Sequence, residues 1–284
     1  MGEFVEIFEV GPRDGLQNEA RLIPTHAKVA LVDCLSRAGF QRIEVASFVS
    51  PKWVPQMADS DAVLAGITRA PGVRYAALAP NLRGFEAAMA ARADEVAIFG
   101  SASEGFSRAN LNCSIDESLV RFAPVAEAAR AAGAPLRGYV SCVTDCPFDG
   151  AVAPEAVARV VATLRELGCY EVSLGDTIGQ GRAETIDAML CAVLGEIEAG
   201  CLAGHYHDTS GRALENIAVS LEHGLRVFDA AVGGLGGCPY APGASGNVAT
   251  EAVLDWLEGE GWETGLDRAV VLEAAEMARG MRQG

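Results

Sequence analysis

The chain has 284 residues, half of them hydrophobic, with 32 glycines, few aromatics and a formal net charge of −16. That charge argues against nucleic-acid partners, whose affinity comes mostly from a basic protein face. Any anionic substrate must instead be held locally, by a few arginines or a bound cation. No apolar run is long enough to cross a bilayer, and the first residues carry neither the basic region nor the apolar core of a secretory signal. The eight cysteines, Cys34, Cys113, Cys142, Cys146, Cys169, Cys191, Cys201 and Cys238, are scattered among apolar runs. Reduced, mostly buried thiols in a cytoplasmic protein are therefore expected. The CxxxC spacing of Cys142 and Cys146 has no second pair to complete a metal site.

Short β-type runs alternate with amphipathic helical stretches along the whole chain. Strands are predicted at 4–10, 42–47, 73–79, 95–99, 136–143, 170–174, 201–207 and 227–232. Helices are predicted at 25–38, 59–69, 82–92, 115–132, 154–167, 183–198, 211–223 and near 247–258. Pro24-Thr25 and Pro154 open helices, and Ala38-Gly39 and Leu167-Gly168 close them. Eight βα units with short connections define an α/β fold, a (β/α)8 TIM barrel, with a doubly wound sheet as the alternative. No linker divides the chain, so residues 1–284 read as one catalytic domain. The barrel occupies about 4–262, and a terminal helix at about 266–281 covers it.

Barrel enzymes place their chemistry where strands end and βα loops begin, and the unusual polar residues collect there. Arg13, Asp14 and Gln17 follow the first strand. Glu44 and Ser47 belong to the second, and Asn81 follows the third. Ser141 ends the fifth, Asp176 the sixth, and His205, His207 and Asp208 the seventh. A glycine-rich run reaching Cys238 and then Asn247 follows the eighth. Only four histidines are present, and His205 and His207 sit two apart, so on a strand they share one face. With Asp14 and Asn247 as oxygen donors from neighbouring loops they make a mixed N/O set. Such a set suits Mg2+, Mn2+ or a similar divalent ion better than a closed thiolate zinc site.

The strings EVGPRDGLQNE, IEVASFVSPKWVPQMAD, GYVSC, SLGDTIG, HDT and GLGGCPYAPGASGNVATE resemble the 3-hydroxy-3-methylglutaryl-CoA lyase family, from about Phe4 to Trp262. The last string is the specific one; RDG and HxH mark only a wider group that also holds isopropylmalate and homocitrate synthases. The resemblance implies a retro-Claisen cleavage of a 3-hydroxyacyl-CoA to acetyl-CoA and a keto acid, acetoacetate in the parent case. It implies that Asp14, His205, His207 and Asn247 hold the metal, that Arg13 clamps the thioester enolate oxygen, and that Cys238 acts as acid/base from a mobile loop. Glu44 is expected to brace Arg13, and Asp176 to shuttle the hydroxyl proton, with His205, or to cap the following helix. Gln17, Ser47, Asn81 and Ser141 are expected substrate contacts. By the same resemblance the assembly is a homodimer.

Three loops depart from the family pattern. Ser210-Gly211-Arg212 follows HDT where Tyr-Gly-Gln is usual, Gln180-Gly181-Arg182 follows SLGDTIG, and Ala20 replaces a lysine. They read either as neutral variation or as drift in the acyl group accepted. The competing functions are a Claisen-condensing acyltransferase and a catalytically silent barrel. The first usually has a C-terminal domain, and the second would have lost a ligand or Cys238.

Overall fold

The computed structural model describes residues 2–238 and 241–283, with the side chains of 237, 238, 241–245 and 283 outside that description. Eight strands, β1 (Glu6–Glu9), β2 (Arg42–Ser47), β3 (Arg74–Leu78), β4 (Glu95–Ser101), β5 (Leu136–Ser141), β6 (Glu171–Asp176), β7 (Leu202–Tyr206) and β8 (Val227–Ala230), pair in parallel. Each neighbours its successor in sequence, and β1 closes the ring by pairing with both β8 and β2. The helices of the outer ring are α1 (Thr25–Leu35), α2 (Ser60–Gly66), α3 (Leu82–Ala90), α4 (Glu104–Leu111), α5 (Ile115–Ala132), α6 (Pro154–Leu167), α7 (Ala183–Leu194), α8 (Ala213–Glu222) and α9 (Thr250–Gly259). A last helix, α10 (Arg268–Gln283), follows.

Local sequence explains the helix limits. Ser114 and Glu117 form a reciprocal capping box at the start of α5, and Gly133 ends it at φ 65°. In α6, Pro154 sits in the first turn, and Val157, Val160, Val161 and Leu164 are buried in the i, i+3, i+4, i+7 stripe that a core-facing helix needs. Each such side chain removed from water contributes about 1.5–3 kcal/mol. α10 lies beside α1: the Asp267 amide donates to the Ala38 carbonyl at 2.7 Å, and Val271, Ala274, Ala275 and Ala278 are buried. Near the chain's start, the Val5 amide donates to the Glu263 carbonyl at 2.9 Å.

The barrel interior departs from the branched-aliphatic filling usual in this fold. Arg42 pairs with Glu6 at 2.6 Å and Glu171 at 2.9 Å, and Arg137 pairs with Glu171 and Asp229, each at 2.7 Å. The Phe8 ring lies against both guanidiniums, 4.7 Å from Arg42 and 4.5 Å from Arg137. Buried charge on this scale is tolerated because every arginine has carboxylate partners. It also forms the floor on which the polar mouth stands.

Candidate active site

The chain after β1 does not run straight into α1. Gly11–Gly15 winds as one π-helical turn, with the amides of Arg13, Asp14 and Gly15 all donating to the Val10 carbonyl at 3.2, 2.8 and 3.2 Å. Two contacts require glycine here. A Cβ on Gly11 would meet Glu9 Oε1 at 2.5 Å, and one on Gly15 would meet the Leu235 side chain at 2.6 Å. The turn presents Arg13 and Asp14 side by side. Arg13 is 5% exposed; its Nε donates to Glu44 Oε2 at 2.6 Å and its Nη1 to Asp14 Oδ1 at 2.6 Å. Tyr139 lies beneath, its ring 5.5 Å from the guanidinium and its hydroxyl donating to the same Glu44 oxygen at 3.0 Å. Glu44 thus braces Arg13 from within the barrel. Burial pushes the Glu44 carboxyl up against the pull of Arg13. Burial acts the same way on Asp14, but Arg13, His205 and the Asn247 amide outweigh it and hold Asp14 at about 2.

Strand periodicity brings the two imidazoles together, with ring centroids 5.4 Å apart. Ligand atoms of Asp14, His205 and His207 all lie within 4.8 Å of one another. Asn247 reaches the same point because an isolated bridge pairs it with His207, and its Nδ2 donates to Asp14 Oδ2 at 2.8 Å. Two observations test whether this set fits a divalent ion. The Nδ1 of His207 is buried without a partner among the described residues, as a nitrogen reserved for a ligand would be. His205 turns Nδ1 to Asp229 Oδ2 at 3.1 Å, leaving Nε2 facing Asp14 Oδ2 at 3.9 Å. That is the carboxylate–histidine arrangement that orients a metal-bound imidazole. The residues fit. Burial, reinforced by His205, lowers His207 to about 4, so its imidazole is neutral at physiological pH.

A cavity of about 1120 Å3 opens over this cluster, lined by Arg13, Asp14, Gln17, Asn81, Ser141, His205, His207 and Asn247 among others. Three predicted residues stand apart from it. Glu44 lies below, behind Arg13. The Ser47 hydroxyl is buried with no partner among the described residues and outside the cavity wall. Asp176 is the clearest correction. Along β6, Glu171 and Ser173 point into the barrel, so Asp176 points outward into the helix layer. Its carboxylate accepts from the Gln180 and Gly181 amides at 3.2 and 2.8 Å. It fixes the loop ahead of α7, whose N-cap position belongs to Arg182, so Asp176 is neither at the cavity nor the helix cap. Asn81 reaches the cavity but also caps α3, accepting from the Gly84 amide at 2.9 Å.

Cys238 belongs to a short antiparallel hairpin of Gly237–Cys238 with Ala241–Ser245. Its side chain, with Pro239 and Tyr240, lies outside the described residues. Of the departing loop positions, Gln180, Arg182, Ser210 and Arg212 do not line the cavity, and Gln180 Nε2 donates to Ser210 Oγ at 3.1 Å. Ala20 lines a neighbouring recess of about 190 Å3. Two features were not predicted. Asp229 could have been found as a lone acid inside an apolar strand. Helix α4 and the following residues bring Asn110 and Asn112 to the cavity, with Arg121 of α5 beside them.

A closed parallel barrel with a candidate metal-binding cluster and a buried arginine at its C-terminal mouth has the layout of a barrel enzyme. The HMGL-like family profile matches residues 4–278. The chain is 59% identical over 273 residues to the cytoplasmic 3-hydroxy-3-methylglutaryl-CoA lyase of Danio rerio, covering 96% of this chain and 82% of that one. It is 57% identical over 272 residues to the 3-hydroxy-3-isohexenylglutaryl-CoA/hydroxy-methylglutaryl-CoA lyase of Pseudomonas aeruginosa, covering 96% and 91%. The crystal structure of the HMG-CoA lyase from Brucella melitensis superposes with a TM-score of 0.99 at 61% identity, covering 99% of this chain and all of that one. The chain belongs to the HMGL-like family, among its hydroxymethylglutaryl-CoA lyases.

Proposed function

We propose that the chain is one catalytic domain that cleaves 3-hydroxy-3-methylglutaryl-CoA, or a close 3-hydroxy-3-alkylglutaryl-CoA, to acetyl-CoA and the matching keto acid, with a divalent ion as cofactor. The observation that carries this reading is the buried, unpartnered Nδ1 of His207 beside His205 and Asp14, in one cavity with Arg13. Asp14, His205, His207 and Asn247 would hold Mg2+ or Mn2+, which when bound polarises the substrate's tertiary hydroxyl as a Lewis acid. Asn247 would offer its amide oxygen, the amide turning over from its present hydrogen bond to Asp14.

In the reaction the hydroxyl gives its proton to water in the cavity, its carbon becomes a ketone, and the adjacent C–C bond breaks. The electron pair leaves on the thioester fragment, where negative charge gathers on the carbonyl oxygen. Arg13, the cavity-wall arginine beside Asp14, is the cation for that oxygen. Its guanidinium is fixed by Glu44, Asp14 and the Tyr139 ring, so little reorganisation is needed as charge develops. The enolate carbon then takes a proton, a role we give Cys238 on the strength of the family motif. His205 has Nδ1 held by Asp229 and Nε2 turned toward Asp14, so we assign it to holding the ion and not to shuttling protons. Gln17, Asn81 and Ser141 would contact substrate.

Among the described residues no helix is long and apolar enough to cross a membrane. We further propose a cytoplasmic location, as for the cytoplasmic lyase of Danio rerio, and a homodimeric assembly, which sedimentation would check. The function is tested by acetyl-CoA release from 3-hydroxy-3-methylglutaryl-CoA with Mg2+ or Mn2+, with and without EDTA. Metal-dependent release is expected. No release with the ion demonstrably bound would reject this substrate and turn attention to longer 3-alkyl analogues.

A further inference from the structure

Among the described residues, a second group of metal-ligating side chains lies on the helix layer. Asp187 and Cys191 are one turn apart on the same face of α7, and His223 directly follows the last residue of α8. One ligand atom from each lies within 4.8 Å of the other two, and His223 Nε2 sits 2.8 Å from Asp187 Oδ1. The helices run back from the strand ends to the strand starts, so the C-terminal ends of α7 and α8 lie at the end of the barrel away from the reaction cavity.

We propose that Asp187, Cys191 and His223 form a binding site for a thiophilic divalent cation, Zn2+ in the first instance, with water as the fourth ligand. The donor chemistry separates this site from the one at the mouth. Thiolate, imidazole and carboxylate together select zinc-like ions, whereas the N/O set of the cavity takes Mg2+ or Mn2+. The geometry is close to what such an ion needs. Bonds of ~2.0–2.3 Å in a tetrahedron set ligand atoms ~3.3–3.8 Å apart, so the three present atoms need shift only by fractions of an ångström to about one. Cys191 is the one exposed thiol among the described free cysteines, the others being buried or half-buried. In the pair beside it, the Asp187 side chain is 59% exposed and that of His223 21%, so an ion has an entry path. The C-terminus of α8 ends at His223, and its partial negative charge favours a cation beside it. Binding replaces the Cys191 S–H bond with a sulfur–metal bond and releases that proton to solvent. The ion would tie α7 to α8 across the outer ring.

The test uses the full chain saturated with Mg2+ and titrated with Co2+, whose thiolate-to-metal charge-transfer band reports sulfur coordination. A band is expected in the parent protein. It should be lost in Cys191→Ser, show at least tenfold weaker Co2+ affinity in His223→Ala, persist in Cys238→Ser, and be bleached by stoichiometric Zn2+. Acetyl-CoA release should be unchanged in Cys191→Ser, which separates this site from the proposed lyase centre. Absence of a band in the parent protein, or a band that survives Cys191→Ser, would overturn the proposal.

Discussion

His205 Nδ1 lies 3.1 Å from Asp229 Oδ2, and the same carboxylate is fixed by Arg137 Nη2 at 2.7 Å and Ser173 Oγ at 2.7 Å. The chain of contacts runs from the charged barrel floor to the candidate ion ligands. Arg137 holds the Asp229 carboxyl well below the usual carboxylate range despite its burial. Asp229 therefore stays charged and holds His205 with its Nδ1 protonated and Nε2 free. Asp229→Asn is expected to weaken Mn2+ binding ~10–100-fold, as loss of such supporting carboxylates does, while Ser173→Ala weakens it less. Mn2+ titration followed by electron paramagnetic resonance checks this, and an unchanged affinity in Asp229→Asn would remove Asp229 from the site.

The brace on Arg13 makes a second prediction. Glu44 accepts from Arg13 Nε and from Tyr139, so Glu44→Gln keeps the shape but weakens the hold. A fall in kcat of up to ~100-fold with little change in KM is expected, because misplacing an oriented group by an ångström costs about that much. Arg13→Lys should be nearly as impaired in kcat as Arg13→Gln, since a single ammonium cannot serve Glu44, Asp14 and the substrate together. Steady-state kinetics of the three variants decide it.

Glu9 predicts a pH dependence of stability. It points from β1 toward α9 and accepts from the Gly11 and Val232 amides at 2.8 and 3.0 Å and from Thr250 Oγ1 at 2.6 Å. Burial nevertheless raises it from 4.5 to about 7. The folded chain thus binds the Glu9 proton more tightly than the unfolded chain does. This contribution is fully present below about 4.5 and is lost as pH rises through about 7, with an upper bound of ~3 kcal/mol. Glu9→Gln keeps an acceptor for both amides and should flatten that part of the stability profile. Denaturant melts of both proteins between these pH values test it, and parallel profiles would contradict it.

The departing loops give a fourth prediction. Because Gln180, Ser210 and Arg212 lie off the cavity wall, Ser210→Tyr combined with Arg212→Gln should leave kcat/KM for 3-hydroxy-3-methylglutaryl-CoA within about twofold. A larger change would mean that these loops reach the substrate.

Much of this was legible in the sequence because period and punctuation agreed. α5 and α6 match their predicted bounds residue for residue, since capping groups and glycines marked both ends. The meeting of His205 and His207 beside Asp14 was readable for the same reason: HxH on a strand puts both imidazoles on one face. What escaped was short or lay between faces. Helix α4 has eight residues with only Phe106 and Ser107 buried, too few for a helical stripe to register. Ending the sixth strand at Leu174 hid the parity that turns Asp176 outward. Asp229 was visible as a residue but not as a partner, because its role depends on β8 lying beside β7.

The most direct test of the central claim measures bound Mn2+ and acetyl-CoA release together in His207→Ala. The buried Nδ1 of His207 has no partner among the described residues, so its removal costs the folded chain no hydrogen bond there and should leave the fold intact. We expect Mn2+ affinity and cleavage to fall together, each by at least ~10-fold. Cleavage at the parent rate with Mn2+ affinity unchanged would contradict the assignment of His207 and of the centre built around it.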